Sequence, residues 1–176
     1  MKLSPRLVLK KVVQNRADAA GYLKMPGDAV LIERGTPRWL LLACPCGCGA
    51  ELPINLDRRA GKAWRLYKHG TAALSIYPSV WRDTDCGSHF IVWRGNILLF
   101  GEREEDFESP SLGEELQTLS DAVLQRIPHK RLVSYVGLAD GLQADPWDVL
   151  DACRSLVRRG LLREGIGKER GNFVRS

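Results

Sequence analysis

Residues 43–49 read Ala-Cys-Pro-Cys-Gly-Cys-Gly, and this short stretch places three cysteines within five positions. The proline and the glycines let the backbone curl, so that thiolates from alternate residues can face one centre. Zn²⁺ prefers four sulfur or nitrogen ligands in a tetrahedron, so three cysteines need a fourth donor from elsewhere. Residues 85–90, Asp-Cys-Gly-Ser-His-Phe, carry two candidates for that donor. The pattern predicts a zinc site formed by Cys44, Cys46, Cys48 and Cys86.

The identity of the fourth ligand is left open by the sequence. His89 can replace one cysteine in the ligand set, which would release a thiolate. Free cysteines are the alternative to metal binding, and the Cys-x-Cys spacing lacks the runs that are typical of iron–sulfur proteins. The fifth cysteine, Cys153, falls on the apolar stripe of a predicted helix and is expected in a hydrophobic core. The other histidines, His69 and His129, are expected on the surface.

The composition is that of a globular protein. The chain has 176 residues, of which 44% are hydrophobic and 27% charged, and this excludes a wholly disordered or collagen-like chain. The length allows one domain or two small ones, and the formal net charge of +5 is mildly basic. No apolar run approaches the ~20 residues of a membrane helix, and the first 25 residues lack the pattern of a signal peptide. We therefore expect a cytoplasmic protein whose cysteines do not form structural disulfides.

Residues 1–101 are predicted to form a β-rich zinc-knuckle domain, because short apolar runs alternate there with turn signals. The last two runs flank Arg94-Gly95-Asn96, and a short Gly/Asn loop between apolar runs predicts a hairpin. The earlier runs are Ala29–Ile32, Trp39–Ala43, Leu52–Leu56 and Ala73–Tyr77. Residues 102–115 hold seven acids against one base, which predicts a solvated acidic linker.

Residues 116–176 change to the periodicity of helices. Apolar stripes predict a first helix over 116–127 and a shorter second helix over 134–141. A third helix has clear start signals, with Asp145 as the N-cap and Pro146 at the first helical position. A glycine-containing turn and a final strand follow. Three helices and a hairpin predict a winged-helix-like domain, so the predicted fold class is α+β, with a β-rich zinc-binding domain preceding it.

A serine–histidine pair is the second candidate for chemistry. If the apolar runs on either side of residues 81–89 pair as antiparallel strands, Ser79 and His89 lie at facing ends of the connecting loop. A hydroxyl activated by an imidazole is the minimal nucleophile–base pair, and Asp83 or Asp85 could orient the ring. Ser88 is the other candidate nucleophile, although adjacent residues on an extended strand point to opposite faces. The competing interpretation of Ser79 is a turn cap.

Three motifs together resemble a known bacterial family. Cys-Pro-Cys-Gly-Cys-Gly at 44–49, Pro78-Ser79, and Cys-Gly-Ser-His-Phe at 86–90 with the hairpin after it resemble the BubE-type family, formerly a domain of unknown function. Its members occur in operons for ubiquitin-like conjugation, beside a ubiquitin-like protein and its activating and conjugating enzymes. The resemblance covers about residues 25–101. It implies a zinc-bound β domain and a serine-protease-like role in trimming the C-terminal tail of a ubiquitin-like precursor. The candidate catalytic residues are Ser79, Ser88 and His89.

Three readings of the function follow from these features. The first is a hydrolase with a Ser/His site and a structural zinc ion; a variant in which zinc activates water is disfavoured because thiolate-rich sites are usually closed. The second is a non-enzymatic module, either a DNA-binding regulator or a protein adaptor. Residues 151–176 carry seven basic against three acidic side chains, which suits contact with phosphate. An adaptor that bridges the conjugation enzymes is a third reading.

Overall fold

A computed structural model of the chain describes residues 6–70, 73–100 and 113–176. The chain divides into two compact units, Met1–Pro110 and Ser111–Ser176, and each is described by itself. The mixed α+β class predicted from the sequence is confirmed. None of the helices in the described ranges is long and apolar enough to cross a membrane.

The N-terminal unit contains two four-stranded sheets. The first has the order β1-β2-β3-β4, formed by Val8–Val13, Asp28–Arg34, Thr36–Ala43 and Glu51–Asn55. The second has the order β5-β6-β7-β8, formed by Arg65–His69, Ala73–Trp81, His89–Trp93 and Asn96–Leu99. Strand β1 is parallel to β2, and the other strand pairs of both sheets are antiparallel. Two short 3-10 helices cover Arg16–Ala19 and Arg58–Ala60.

The two sheets share one hydrophobic core. Side chains of the first sheet, among them Leu31, Leu40 and Ile54, pack in one cluster with Ile76 and Phe90 of the second sheet. The opposite face of β2 and β3 packs in a separate cluster around Ala19. Because β2 and β3 are thus covered on both faces, their sequences are continuous apolar runs rather than alternating ones.

The strand predictions are confirmed for β2, β3, β4 and β6, and the predicted hairpin joins β7 to β8. The positive φ angles of that turn fall on Arg94 (48°) and Gly95 (79°), whereas Asn96 already begins β8. Strand β5 was not predicted, because Arg-Leu-Tyr-Lys-His has no apolar run. Charged residues of this kind are common on edge strands, where they discourage pairing with other chains.

The C-terminal unit has three helices and a small antiparallel sheet. The helices are α1 (Gly113–Arg126), α2 (Tyr135–Leu142) and α3 (Pro146–Arg158). Strands β9 (Val133–Ser134), β10 (Leu162–Glu164) and β11 (Asn172–Arg175) form a sheet of order β10-β11-β9. A short 3-10 helix, Gly167–Glu169, lies between β10 and β11.

The start signals read from the sequence act as N-caps in this unit. The side chain of Asp145 accepts a hydrogen bond from the Trp147 amide (2.9 Å), and Ser134 accepts one from the Gly137 amide (3.1 Å). Cys153 is fully buried in the helical core, as predicted. The acidic linker predicted over 102–115 lies outside the described residues except for 113–115. Those three residues belong to the first turn of α1. The acidic side chains of Glu114 and Glu115 interact favourably there with the positive end of the helix dipole.

Removing the Phe90 ring tests the shared core. The ring is fully buried between the sheets. We expect Phe90→Ala to lower the free energy of unfolding by about 3–5 kcal/mol, measured by urea denaturation followed by tryptophan fluorescence. Phe100→Ala is the matched control: that ring is 54% exposed, and its loss is expected to cost less than about 1.5 kcal/mol. Equal costs for the two variants would contradict the assignment of the core.

Candidate functional site

Four cysteines converge at one end of the N-terminal unit. Cys44, Cys46 and Cys48 lie in the connection from β3 to β4, and Cys86 lies in the connection from β6 to β7. The first connection curls tightly, because the Gly47 amide donates to the Cys44 carbonyl (3.1 Å) and Gly47 adopts a φ of 83°. All four Sγ atoms lie within 4.8 Å of one another. The cysteine cluster therefore brings together a connection of the first sheet and a connection of the second sheet.

The spacing of the sulfur atoms suits one shared metal ion. Zinc–sulfur bonds of ~2.3 Å in a tetrahedron place the sulfur atoms about 3.8 Å apart. The Cys44 Sγ atom lies 3.8 Å from that of Cys86 and 3.3 Å from that of Cys46, and the widest separation stays below 4.8 Å. Four thiolates can therefore surround a single ion with little movement. The imidazole of His89, left open as a ligand by the sequence, is not part of this group.

Ser88, the other candidate nucleophile, lies beside the cysteine cluster. Its buried Oγ lies 3.3 Å from the Cys86 Sγ and 3.5 Å from the Cys44 Sγ. The hydrogen bond with Ser88 is the main reason that the pKa of the Cys86 thiol is lowered to about 6. Burial raises the pKa of the Cys44 thiol to about 12. Both thiols are placed to donate to the Ser88 hydroxyl, which can in turn donate a hydrogen bond to a thiolate when one of them is deprotonated.

A bulge in β6 positions Ser79. Ile76 pairs with Val92 and Val80 pairs with Phe90, so three residues of β6 face a single residue of β7. Bulges of this kind re-aim side chains and occur often beside active sites. Ser79 lies in this bulge, and its Oγ lies 3.0 Å from the His89 Nε2.

Trp64, the residue directly before β5, contacts the bulge. The indole Nε1–H of Trp64 donates a hydrogen bond to the backbone carbonyl of Ser79 over 3.2 Å. The half-buried Trp64 packs against the core shared by the two sheets. The carbonyl of the bulge is therefore satisfied by a rigid neighbour, which fixes the backbone on which the Ser79 hydroxyl is carried.

Aromatic rings, not a carboxylate, surround the imidazole of His89. The Phe100 ring stacks on it at a centroid distance of 4.0 Å and an angle of 22°, and the Trp81 ring lies 5.9 Å away. In the part of the chain that the structure describes, no carboxylate forms a hydrogen bond with the ring. The expectation that Asp85 orients the ring is wrong, because Asp85 pairs with Arg82; Asp83 is exposed.

A second serine–histidine contact provides a useful comparison. The His69 Nε2 lies 2.8 Å from the Ser75 Oγ, and His69 is half-buried rather than fully exposed, whereas His129 is exposed as predicted. Ser75 is fully buried, and its Oγ also accepts a hydrogen bond from the backbone amide of Arg94 (2.9 Å). A substrate cannot reach that hydroxyl. The Ser79 pair differs because it lies on a face that carries exposed aromatic rings.

The exposed rings and the indole contact were missed from the sequence. Trp81 and Phe100 are 69% and 54% exposed, which is unusual for side chains of this size. The hydrogen bond from Trp64 has no sequence signal, because β5 itself was not predicted.

The comparisons with known proteins address the same stretch of chain. Residues 15–100 match the family model described as bacterial ubiquitination-like system serine protease (BubE). The family resemblance indicated by the cysteine, Pro-Ser and Ser-His motifs is thereby confirmed. No curated protein and no solved structure matches the chain. The matched range contains the four cysteines, Ser79, Ser88 and His89.

Proposed function

We propose that this protein is a serine peptidase of a bacterial ubiquitination-like system that processes the C-terminal tail of a ubiquitin-like precursor. The observation that carries the proposal is the contact between the Ser79 Oγ and the His89 Nε2, 3.0 Å long and on an accessible face. The match of residues 15–100 to a family described as serine proteases supports the reaction class. In this reading Ser79 is the nucleophile, His89 is the general base, and Ser88 has no catalytic role.

The contact geometry suits acyl transfer. The Ser79 Oγ attacks the carbonyl carbon of the scissile peptide bond while its proton passes to the His89 Nε2. The imidazolium then gives that proton to the departing amine, which leaves an ester on Ser79. His89 next removes a proton from a water molecule, which hydrolyses the ester and restores the hydroxyl.

Two aromatic rings take over the orienting task that a carboxylate has in a triad. The Phe100 ring stacks on His89 and restricts its rotation, and the Trp81 ring closes one side. Aromatic faces attract a cation by about 0.5–1 kcal/mol at exposed sites, so the stacked ring also favours the imidazolium that forms during the reaction. The same exposed rings offer apolar surface to a substrate chain.

We propose further that zinc occupies the cysteine cluster and that its role is structural. The four thiols of the cluster can fill all four positions of a tetrahedral ion, which leaves no open position for water. When bound, the ion would tie the connection after β3 to the connection before β7. His89 begins β7 three residues after Cys86, so a fixed Cys86 limits the movement of the base.

The C-terminal unit is proposed to be a winged-helix-like module. Its element order, α1-β9-α2-α3-β10-β11 with a three-stranded sheet, supports this assignment. The DNA-binding alternative gains no support from the comparisons. Residues 113–176 also carry ten basic against nine acidic side chains, so the excess seen over 151–176 does not extend to the whole unit. A role in binding protein partners of the system fits this balance better.

A serine-directed probe tests the nucleophile. We expect a fluorophosphonate to label the wild-type chain once, at Ser79, as read by intact mass and peptide mapping. Ser79→Ala should abolish both the labelling and the cleavage of a ubiquitin-like precursor. His89→Gln should slow labelling by about 10²-fold or more, because the base is lost. His69→Gln is the matched control, since it changes the buried pair and should label at the wild-type rate. Labelling at Ser88, or equal effects of the two histidine changes, would overturn the assignment.

Metal analysis tests the structural role of the cluster. We expect one zinc ion per chain by plasma mass spectrometry after purification without chelators. Cys44→Ser and Cys86→Ser should lose it, and Ser88→Ala should weaken zinc affinity by about tenfold because a partner of the ligands is removed. Cys153→Ala and Ser79→Ala should each retain one ion. A full zinc content in Cys86→Ser, or loss of zinc in His89→Gln, would show that a different set of ligands holds the ion.

A further inference from the structure

Two aromatic residues and His89 form one row across the second sheet. Trp81 pairs directly with His89 between β6 and β7, and Phe100, directly after β8, donates its amide hydrogen to the His89 carbonyl (2.8 Å). Residues directly opposite one another in antiparallel strands project from the same face of the sheet. The imidazole therefore has one ring from each neighbouring strand beside it, at centroid distances of 5.9 Å and 4.0 Å.

The next row on this face is also apolar. Ile91 pairs with Leu98, and the two lie two positions along their strands from His89 and Phe100. Because side chains alternate along a strand, Ile91 and Leu98 project from the same face as the imidazole, and both are half-buried. Phe90 projects from the opposite face, into the core shared by the two sheets. We call this surface the apolar strip; it consists of Trp81, Ile91, Leu98 and Phe100.

The exposure of the apolar strip indicates a binding surface. Trp81 is 69% exposed and Phe100 is 54% exposed, whereas aromatic side chains usually bury most of their large surface. Single apolar side chains are common on protein surfaces, but neighbouring ones mark sites of interaction. Since both rings flank the imidazole of His89, the ligand of the strip is expected to be one that also reaches this imidazole.

A polypeptide that reacts with Ser79 would bring its own side chains to the apolar strip. The carbonyl carbon of the scissile bond must approach the attacking oxygen to about 3–3.5 Å, and the Ser79 Oγ lies 3.0 Å from the His89 Nε2. An extended chain advances only about 3.3 Å per residue. The residues that flank the bond would therefore lie about as far from the imidazole as the two rings do.

The chemistry of the strip selects among those side chains. A large apolar side chain laid against the rings removes apolar surface from water on both partners, which is favourable. A charged or amide side chain in the same place would lose hydration without gaining a hydrogen-bond partner from the strip.

We propose that the apolar strip binds a large apolar side chain of the polypeptide substrate, next to the bond that Ser79 cleaves or one residue removed from it. The proposal rests on the peptidase function proposed above and adds the chemistry by which the substrate is recognised. The rings of Trp81 and Phe100 then have two tasks, since they hold the imidazole and select the chain that is presented to it.

Binding is measured without cleavage, on full-length Ser79→Ala protein. The probes are two labelled peptides of equal length that consist of glycine and serine except for one central residue, leucine in one and asparagine in the other. Affinity is read by fluorescence anisotropy, and the place of binding by the indole ¹⁵N–¹H resonance of Trp81, which is assigned with Trp81→Phe. We expect the leucine peptide to bind about tenfold more tightly than the asparagine peptide and to shift the Trp81 resonance.

Substitutions in the strip should reduce this preference. Trp81→Ala should weaken the leucine peptide about fivefold, and Leu98→Thr, which keeps a side chain suited to a strand, about threefold, with little effect on the asparagine peptide. The matched control is Tyr22→Ala, which removes an exposed aromatic ring from the segment before β2 of the first sheet and should leave both affinities unchanged. Equal affinities of the two peptides, an unmoved Trp81 resonance, or equal weakening by Tyr22→Ala would overturn the proposal.

Competition on the wild-type chain tests whether the bound side chain lies beside the reacting bond. The leucine peptide should slow the labelling of Ser79 by a fluorophosphonate, and the asparagine peptide at the same concentration should not. A leucine peptide that binds but leaves the labelling rate unchanged would contradict the proposed position. Failure of the peptidase is recognised separately: the leucine peptide would bind to the strip as described, while the wild-type chain would not label with a fluorophosphonate even without peptide.

Discussion

The convergence of four cysteine sulfur atoms within 4.8 Å is the constraint on which the geometry of the candidate site depends. Three of the sulfur atoms come from a connection of the first sheet and one from a connection of the second, and the two sheets otherwise pack mainly through apolar side chains. Apolar packing is non-directional, so it fixes the distance between sheets better than their relative register. A tetrahedral set of thiolates is directional. It would hold the segment before β7, and with it the backbone of His89.

The second half of the site is fixed by a different device. Ser79 lies in the bulge of β6, and the indole of Trp64 donates a hydrogen bond to its backbone carbonyl. In the proposed function, the base lies three residues after the last cysteine of the cluster, and the bulge carries the nucleophile. The Ser79 Oγ lies 3.0 Å from the His89 Nε2, and the rings of Trp81 and Phe100 lie next to the imidazole. Neither device depends on a carboxylate in the described part of the chain, which distinguishes this arrangement from a serine triad.

The parts of the site that follow from local spacing could be predicted from the sequence. Three cysteines in five residues and a fourth at position 86 signal a shared centre, and a hairpin-like pairing brings Ser79 towards His89. The separation of Ser88 from His89 also follows, because adjacent strand residues point to opposite faces. The bulge could not be predicted, since the pairing of Ile76 and Val80 with β7 is decided by packing on both sides of the sheet. The role of Trp64 required strand β5, whose charged sequence gives no apolar signal.

A crystal structure of the chain after reaction with a fluorophosphonate, with data collected at the zinc absorption edge, tests the central claim most directly. The account predicts continuous electron density from the Ser79 Oγ to phosphorus, with the His89 imidazole in contact with the adduct. It also predicts a single anomalous peak surrounded by the Sγ atoms of Cys44, Cys46, Cys48 and Cys86. An adduct on another residue, or an anomalous peak coordinated by His89, would contradict it.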